Sequence, residues 1–268
     1  MTLDLLSAIV TPPSGRSRAV LIDHHDYAHS VILQNREVPW DDPTSYANFF
    51  NQAQGLLRPD LALFDVARFY DHQLEVNPGL AEAMRAKTRT GYALRTMLGD
   101  KVITEKAIGV VSTLVSMSRD PLVLQLPSPV QWLSRTHHYG GGDVEALEAD
   151  DGENASMYVA DWLRRFAALP LAGVFLDDRT PAGSPDVVTV ELDSYSPVVN
   201  IAAHYRLPLG LRRADGVHLH GDTRRGSSVE EGYWDRGTTV PAEGDFLIAR
   251  IPAHAVPEMV LSRLDSLR

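Results

Sequence analysis

The chain contains no cysteine. That excludes a disulfide framework, a thiolate zinc site, an iron–sulfur cluster and a cysteine nucleophile, so any metal would have to be held by His and carboxylate side chains. Basic residues are in the minority, 25 Lys+Arg against 35 Asp+Glu for a formal charge of −10. A phosphate backbone needs a basic stripe, so nucleic acid is not an expected partner. No apolar run approaches the roughly 18 residues of a membrane span, and the N-terminal stretch has no basic segment ahead of its short apolar one. Neither a membrane nor export is expected, and the chain reads as cytoplasmic. There is also no Gly-x-Ser-x-Gly elbow, no P-loop and no His-Glu-x-x-His, which removes a serine hydrolase of that type, an NTPase of that class and a zincin.

What is there is an ordinary globular composition over 268 residues, 44% hydrophobic and 22% charged, with no internal repeat and no dividing linker. One domain over 1–268 is the expectation. Residues 18–25 (RAVLIDHH) form a β-prone apolar run ending in polar groups, and residues 44–57 place Tyr46, Phe49 and Phe50 at helical spacing, which reads as core packing. Residues 78–98 read as one long amphipathic helix opened by Asn77 and Pro78. Residues 122–126 are a short strand closed by Pro127-Ser128-Pro129, with a helix from about Val130. Residues 157–169 carry helical spacing and lead into the strand AGVFL, which ends in Asp177-Asp178. Further strands are predicted at 187–192, 208–212, 216–222 and 246–251, with helices at 197–205 and 256–267.

Strands alternating with helices point to parallel α/β units. The glycine fingerprint of an open dinucleotide-binding sheet is absent, so the fold class expected is a single (β/α)8 barrel of TIM type, complete or in an incomplete or modified form. Gly140-Gly141-Gly142 follows no strand and opens an acidic stretch to Ala155, predicted to be a solvated loop or a lid over the site.

Three constellations carry candidate chemistry. In His218-x-His220-x-Asp222 the strand period of two sends the polar groups to one face and Val217 and Leu219 to the other. With the apolar face packed on helices, the polar one would face a barrel mouth. His218 and His220 could then serve as acid/base groups or hold a divalent ion such as zinc. At Asp177-Asp178, alternation directs at most one carboxylate into the mouth, to orient an imidazole, bind a substrate cation or coordinate metal. In Asp23-His24-His25-Asp26 only one of His24 and His25 would face a site. Asp222 and Arg224, the latter able to clamp a carboxylate or phosphate, are candidate substrate-binding residues, as are Ser128 and Tyr195. Glu191, Asp193, His204 and Arg225 are weaker, and His137-His138 reads as a polar turn.

Taken in order, residues 122–129 (LVLQLPSP), 158–178 (YVADWLRRFAALPLAGVFLDD) and 217–222 (VHLHGD) resemble the later part of the catalytic barrel of cobalamin-independent methionine synthases, itself similar to that of uroporphyrinogen decarboxylases. The resemblance covers about half the chain. It implies a barrel enzyme with Asp177-Asp178 at that family's Asp-Glu position and His218-x-His220 at its His-x-Cys pair. The zinc-binding cysteines of the family are missing here, and imidazole in place of thiolate leaves an ion more positive and a bound thiolate less nucleophilic. The resemblance therefore implies methyl or one-carbon group transfer on a small polar metabolite as the leading class. The alternatives are a metal-dependent hydrolase or lyase with a His/Asp site, and a barrel that binds a metabolite or protein without turnover.

Overall fold

A computed structural model describes residues 4–181 and 183–267. Eight strands close a barrel in chain order: β1 (Ala19–Asp23), β2 (Leu61–Asp65), β3 (Leu122–Pro127), β4 (Gly173–Asp177), β5 (Leu209–Arg212), β6 (Gly216–Leu219), β7 (Arg225–Val229) and β8 (Phe246–Arg250). Every neighbouring pair is parallel except the two that involve β6, which runs antiparallel to β5 and to β7. Helix α1 (Leu5–Val10) precedes the barrel. Helices α2 (His25–Val31) and α3 (Pro43–Leu57) join β1 to β2, and α4 (Val66–Val76), α5 (Pro78–Met84), α6 (Tyr92–Gly99) and α7 (Lys101–Met117) join β2 to β3. Helices α8 (Pro129–His137) and α9 (Ala149–Leu163) lie between β3 and β4, α10 (Ser196–Tyr205) between β4 and β5, and α11 (Pro257–Asp265) after β8. From β5 to β8 the strands follow one another without an α-helix. Among the described residues no helix is long and apolar enough to cross a membrane.

The strand period of two builds two cores. Residues facing inward, Leu21, Leu63, Val123, Phe175, Val217, Leu219, Phe246 and Ile248, pack together inside the barrel, and α1 stops that end with Leu5, Ala8 and Ile9. The alternate residues face outward, where Phe64, Leu124, Leu126, Val174 and Leu176 meet the helices. Each such buried side chain contributes roughly 1.5–3 kcal/mol. Strands β1 to β5 and β8 are buried on both faces over nearly their whole length, which is why these runs read as continuous apolar stretches.

The helices begin where chemistry allows. Asp42, Asp65, Asp100 and Ser128 each accept a backbone N–H at the start of α3, α4, α7 and α8. The predicted helix over 78–98 is broken into α5 and α6, because the intervening TRTG segment puts β-branched residues before Gly91, which sits at φ +78 against the Tyr158 ring. The predicted strand at 187–192 is irregular, ending in a short 3-10 turn at Leu192–Ser194. The acidic stretch is not simply a loop. Its later half opens α9 with a capping box between Glu148 and Asp151, where carboxylates favour the positive end of the helix dipole.

Candidate functional site

The C-terminal ends of the seven parallel strands converge on a cavity of about 1010 Å³. Three of those strands end alike, AVLID, LALFD and GVFLD, and each terminal aspartate points into the opening. Asp23, Asp65 and Asp177 share it with Arg212 from β5 and Arg250 from β8, joined by Arg68 from the first turn of α4 and by Arg179 just beyond β4. The mouth is thus charged with both signs, above an apolar barrel interior.

Most of these charges are paired. Arg68 donates to Asp26 and, at 3.3 Å, to both oxygens of Asp23. Arg250 Nη2 donates to Asp26 Oδ2 at 2.7 Å. Arg179 grips Asp177 with two bonds, Nε to Oδ1 at 2.8 Å and Nη2 to Oδ2 at 2.7 Å. Burial opposes the charge on Asp23, yet Arg68, Arg212 and Arg250 hold its carboxyl well below the usual range. Asp177 is half-buried, and although desolvation opposes its charge, Arg179 and then Arg212 hold its carboxyl low.

Two groups stand apart. Arg212 is 2% exposed, and among the described residues its guanidinium makes one hydrogen bond, from Nη1 to the neutral Gln125 Oε1 at 2.6 Å. Its Nε is buried without a partner. Burial, and then the neighbouring Arg179, pull Arg212 down to about 10. Asp65 has only a 4.0 Å approach from Arg68 Nε and the N–H of Ala67 on one oxygen. Burial pushes its carboxyl up; Arg68 counteracts, while Asp23 and Asp177 push the same way as burial. A buried guanidinium with no direct ion pair to a described carboxylate and a carboxyl whose proton affinity is raised by burial therefore face one cavity, beside carboxylates held low by their arginines.

The sequence-predicted residues divide between this mouth and other places. Asp177 and Asp178 both line it. Asp178 accepts from Ser128 Oγ at 2.6 Å and lies 3.5 Å from Arg213 Nε. Burial raises its carboxyl against the pull of both neighbours. Tyr195 is buried, and burial together with the Asp178 charge raises its hydroxyl. Ser128, Asp178 and Tyr195 are thus brought together behind the rim of the mouth.

His24 and His25 do not line the mouth. His24 is buried against Phe50, with ring centroids 4.8 Å apart and both ring nitrogens unpartnered, and burial lowers it to about 4. His25 stacks on Trp40 at 5.2 Å, and burial followed by Arg68 lowers it to about 3. His218 and His220 depart furthest from expectation. The alternation is as predicted but its faces are exchanged: Val217 and Leu219 enter the barrel core, opposite Arg212 and Gly210, so the imidazoles point outward. Because β6 is reversed, its C-terminal end also lies away from the mouth. His218 leans on Asp215 at 3.4 Å and His220 on Asp193 at 3.2 Å. Asp222 is spent locally on Arg224, with Nη2 to Oδ2 at 2.6 Å, in the turn between β6 and β7. Among the described residues no three His, Asp or Glu side chains are arranged to hold a metal ion.

Asp65, Gln125, Arg212 and Arg250 carry a signal in the sequence, a lone polar residue closing or interrupting an apolar strand, whereas Arg68 sits in the first turn of α4 and carries none. No family model matches the chain, and neither a curated protein nor a solved structure does. The chemistry of the site therefore rests on its own geometry.

Proposed function

We propose that the barrel is an enzyme of the acid–base kind, a lyase or isomerase by class, acting on a small carboxylate- or phosphate-bearing metabolite bound in the mouth. Its scaffold is read as a modified (β/α)8 barrel in which β6 has turned over and the helices around it are missing. The observation that carries this reading is Arg212. A buried guanidinium whose one hydrogen-bond partner among the described residues is neutral, and which has no carboxylate in direct contact, is costly unless an anion completes it, and a planar fork of N–H donors matches a carboxylate or phosphate. Asp65 supplies the second half. Neighbouring carboxylates whose environments drive their proton affinities apart mark the acid and base of many active sites. Asp65 would exchange the proton, while ionised Asp23 and Asp177 hold Arg68 and Arg179 in place.

One-carbon transfer through His218 and His220, the class implied by the methionine-synthase resemblance, draws no support from this mouth, which neither imidazole enters. The test is a panel of small mono- and dicarboxylates and phosphate monoesters, scored by thermal shift on wild type, Arg212→Met and Asp65→Asn. Stabilisation of wild type that vanishes in Arg212→Met supports the anion site. Turnover of the bound compound that falls at least a hundredfold in Asp65→Asn, with binding retained, supports the proton-transfer role. Equal stabilisation of wild type and Arg212→Met would overturn the reading, and binding with no turnover of any ligand would leave a binding barrel instead.

A further inference from the structure

The opposite end of the barrel carries a second concavity, of about 800 Å³, where three segments enter the N-terminal ends of β1, β2 and β3. Its walls are the Pro13–Arg16 turn, the last turn of α3 through Pro59, and the Met117–Asp120 segment after α7. On a chain of net charge −10, this hollow is lined by Arg16, Arg58 and Arg119 against the single carboxylate of Asp120. Arg16 is fixed: its Nη1 donates to the Arg58 carbonyl at 2.9 Å and to Asp60 Oδ2 at 3.2 Å. Asp60 is itself buried and locked by the N–H groups of Ser14 and Val20. Arg58 and Arg119 make no side-chain hydrogen bond or ion pair with any described residue, and both are exposed.

Two further features say that something polar belongs here. Gln54, which lines the hollow, is 4% exposed, and neither its amide oxygen nor its nitrogen has a partner among the described residues. A buried amide left without partners is rare in a finished core. Gly55, beside it, lies inside helix α3, and a Cβ built there meets nothing within 4 Å. Glycine is a poor helix former, so nothing in local stability favours it at an exposed helical position. What it leaves is open floor in the hollow. Arg58 is held at φ 47 as the left-handed cap of α3, which directs the chain across the same opening.

We propose that this N-terminal hollow is a binding site for a small phosphorylated molecule, separate from the mouth, with Arg16, Arg58 and Arg119 clamping the phosphate and Gln54 turning its amide to it. Three guanidinium forks around one opening suit an anion with several acceptor oxygens better than a single carboxylate. The site does not depend on the reading of the mouth.

The test is calorimetric titration of the full chain with inorganic phosphate, glycerol 3-phosphate and acetate. Four proteins are compared: wild type, Arg58→Asn/Arg119→Gln, Gly55→Leu and Arg212→Met. Asparagine tolerates the left-handed backbone at 58, and leucine fills the open floor while favouring the helix, so both variants are expected to fold with an unchanged melting curve. Saturable binding of phosphate or the phosphomonoester, weakened at least tenfold in the first two variants and unchanged in Arg212→Met, supports the site. Tighter binding of glycerol 3-phosphate than of free phosphate marks a phosphomonoester as the ligand, and equal binding marks phosphate itself. The proposal is overturned by the absence of saturable binding, by acetate binding that the first two variants weaken as they weaken phosphate binding, or by phosphate binding that is the same in both N-terminal variants as in wild type. Loss in Arg212→Met alone also overturns it, by placing the phosphate in the mouth.

Discussion

Arg212 shows how a single residue can trade stability for a ligand. Holding its guanidinium charged while its affinity for the proton is drawn down to about 10 from 12.5 costs on the order of 3 kcal/mol. Replacing it with methionine removes that cost and leaves the Gln125 carbonyl without a donor, a loss of about 1 kcal/mol. Arg212→Met is therefore expected to melt several degrees higher than wild type in the absence of ligand, measured by calorimetry. A lower melting temperature would mean that the fields of Asp23, Asp65 and Asp177 already stabilise the charge, and that no anion is needed. His24 and His25 set the acid limb of stability. Both are lowered in the folded chain, to about 4 and about 3, so the unfolded chain binds more protons between those values and 6.5. Stability then falls as pH drops below 6.5, by about 2 kcal/mol for each histidine at pH 5. Since neither nitrogen of His24 has a partner, His24→Leu is expected to keep stability at pH 7 and to flatten the urea midpoint between pH 6.5 and 4. An unchanged pH slope would show that His24 is protonated in the native chain.

At the level of elements, the barrel interior is fitted around two aromatic rings. Phe175 and Phe246 stack with centroids 6.5 Å apart, and the strands opposite them present glycine: a Cβ at Gly226 would strike the Phe246 ring, and one at Gly210 would come within 2.8 Å of Val217. Gly226→Ala is expected to destabilise by about 1–3 kcal/mol, read as a shift of the denaturant midpoint with unchanged slope. A neutral effect would mean the ring can move and the interior is loosely packed. The same elements show what the sequence made legible. Apolar runs closed by a polar residue located β1, β3, β4, β5 and β8, because burial on both faces leaves a strand little else to be. The run at Leu61–Asp65 carries the same signature, with Asp65 as its closing polar residue. The strand predicted at 187–192 failed because β-branched residues favour a strand only where a partner exists to pair with. Arg68 and Arg179, which lie beyond the strand ends, are out of reach for another reason: an arginine next to a loop looks alike in sequence whether it is solvated or buried, and only closure of the barrel decides.

Across the whole molecule, one short connection decides where the chemistry can sit. Only Arg213, Ala214 and Asp215 separate β5 from β6, whereas a parallel crossover needs a dozen residues or more. The chain must turn back, and β6 enters the barrel upside down. Reversal alone would only move His218 and His220 along the axis. The exchange of faces follows from a second constraint: with no helix outside β6, the apolar residues Val217 and Leu219 can be buried only within the barrel, so the imidazoles take the uncovered side. The barrel is thereby divided into a charged, open end built on Asp23, Asp65, Asp177 and Arg212, a stopped end under α1, and a flank where the histidine pair meets solvent and aspartates. His218→Ala/His220→Ala should accordingly change stability by no more than about 0.5 kcal/mol, since each removes only a surface contact. It should also leave ligand affinity at the mouth within twofold of wild type, measured by the same thermal-shift panel that scores Arg212→Met. A tenfold loss of affinity or turnover in the double variant would return the histidines to the site and require β6 to run with its neighbours.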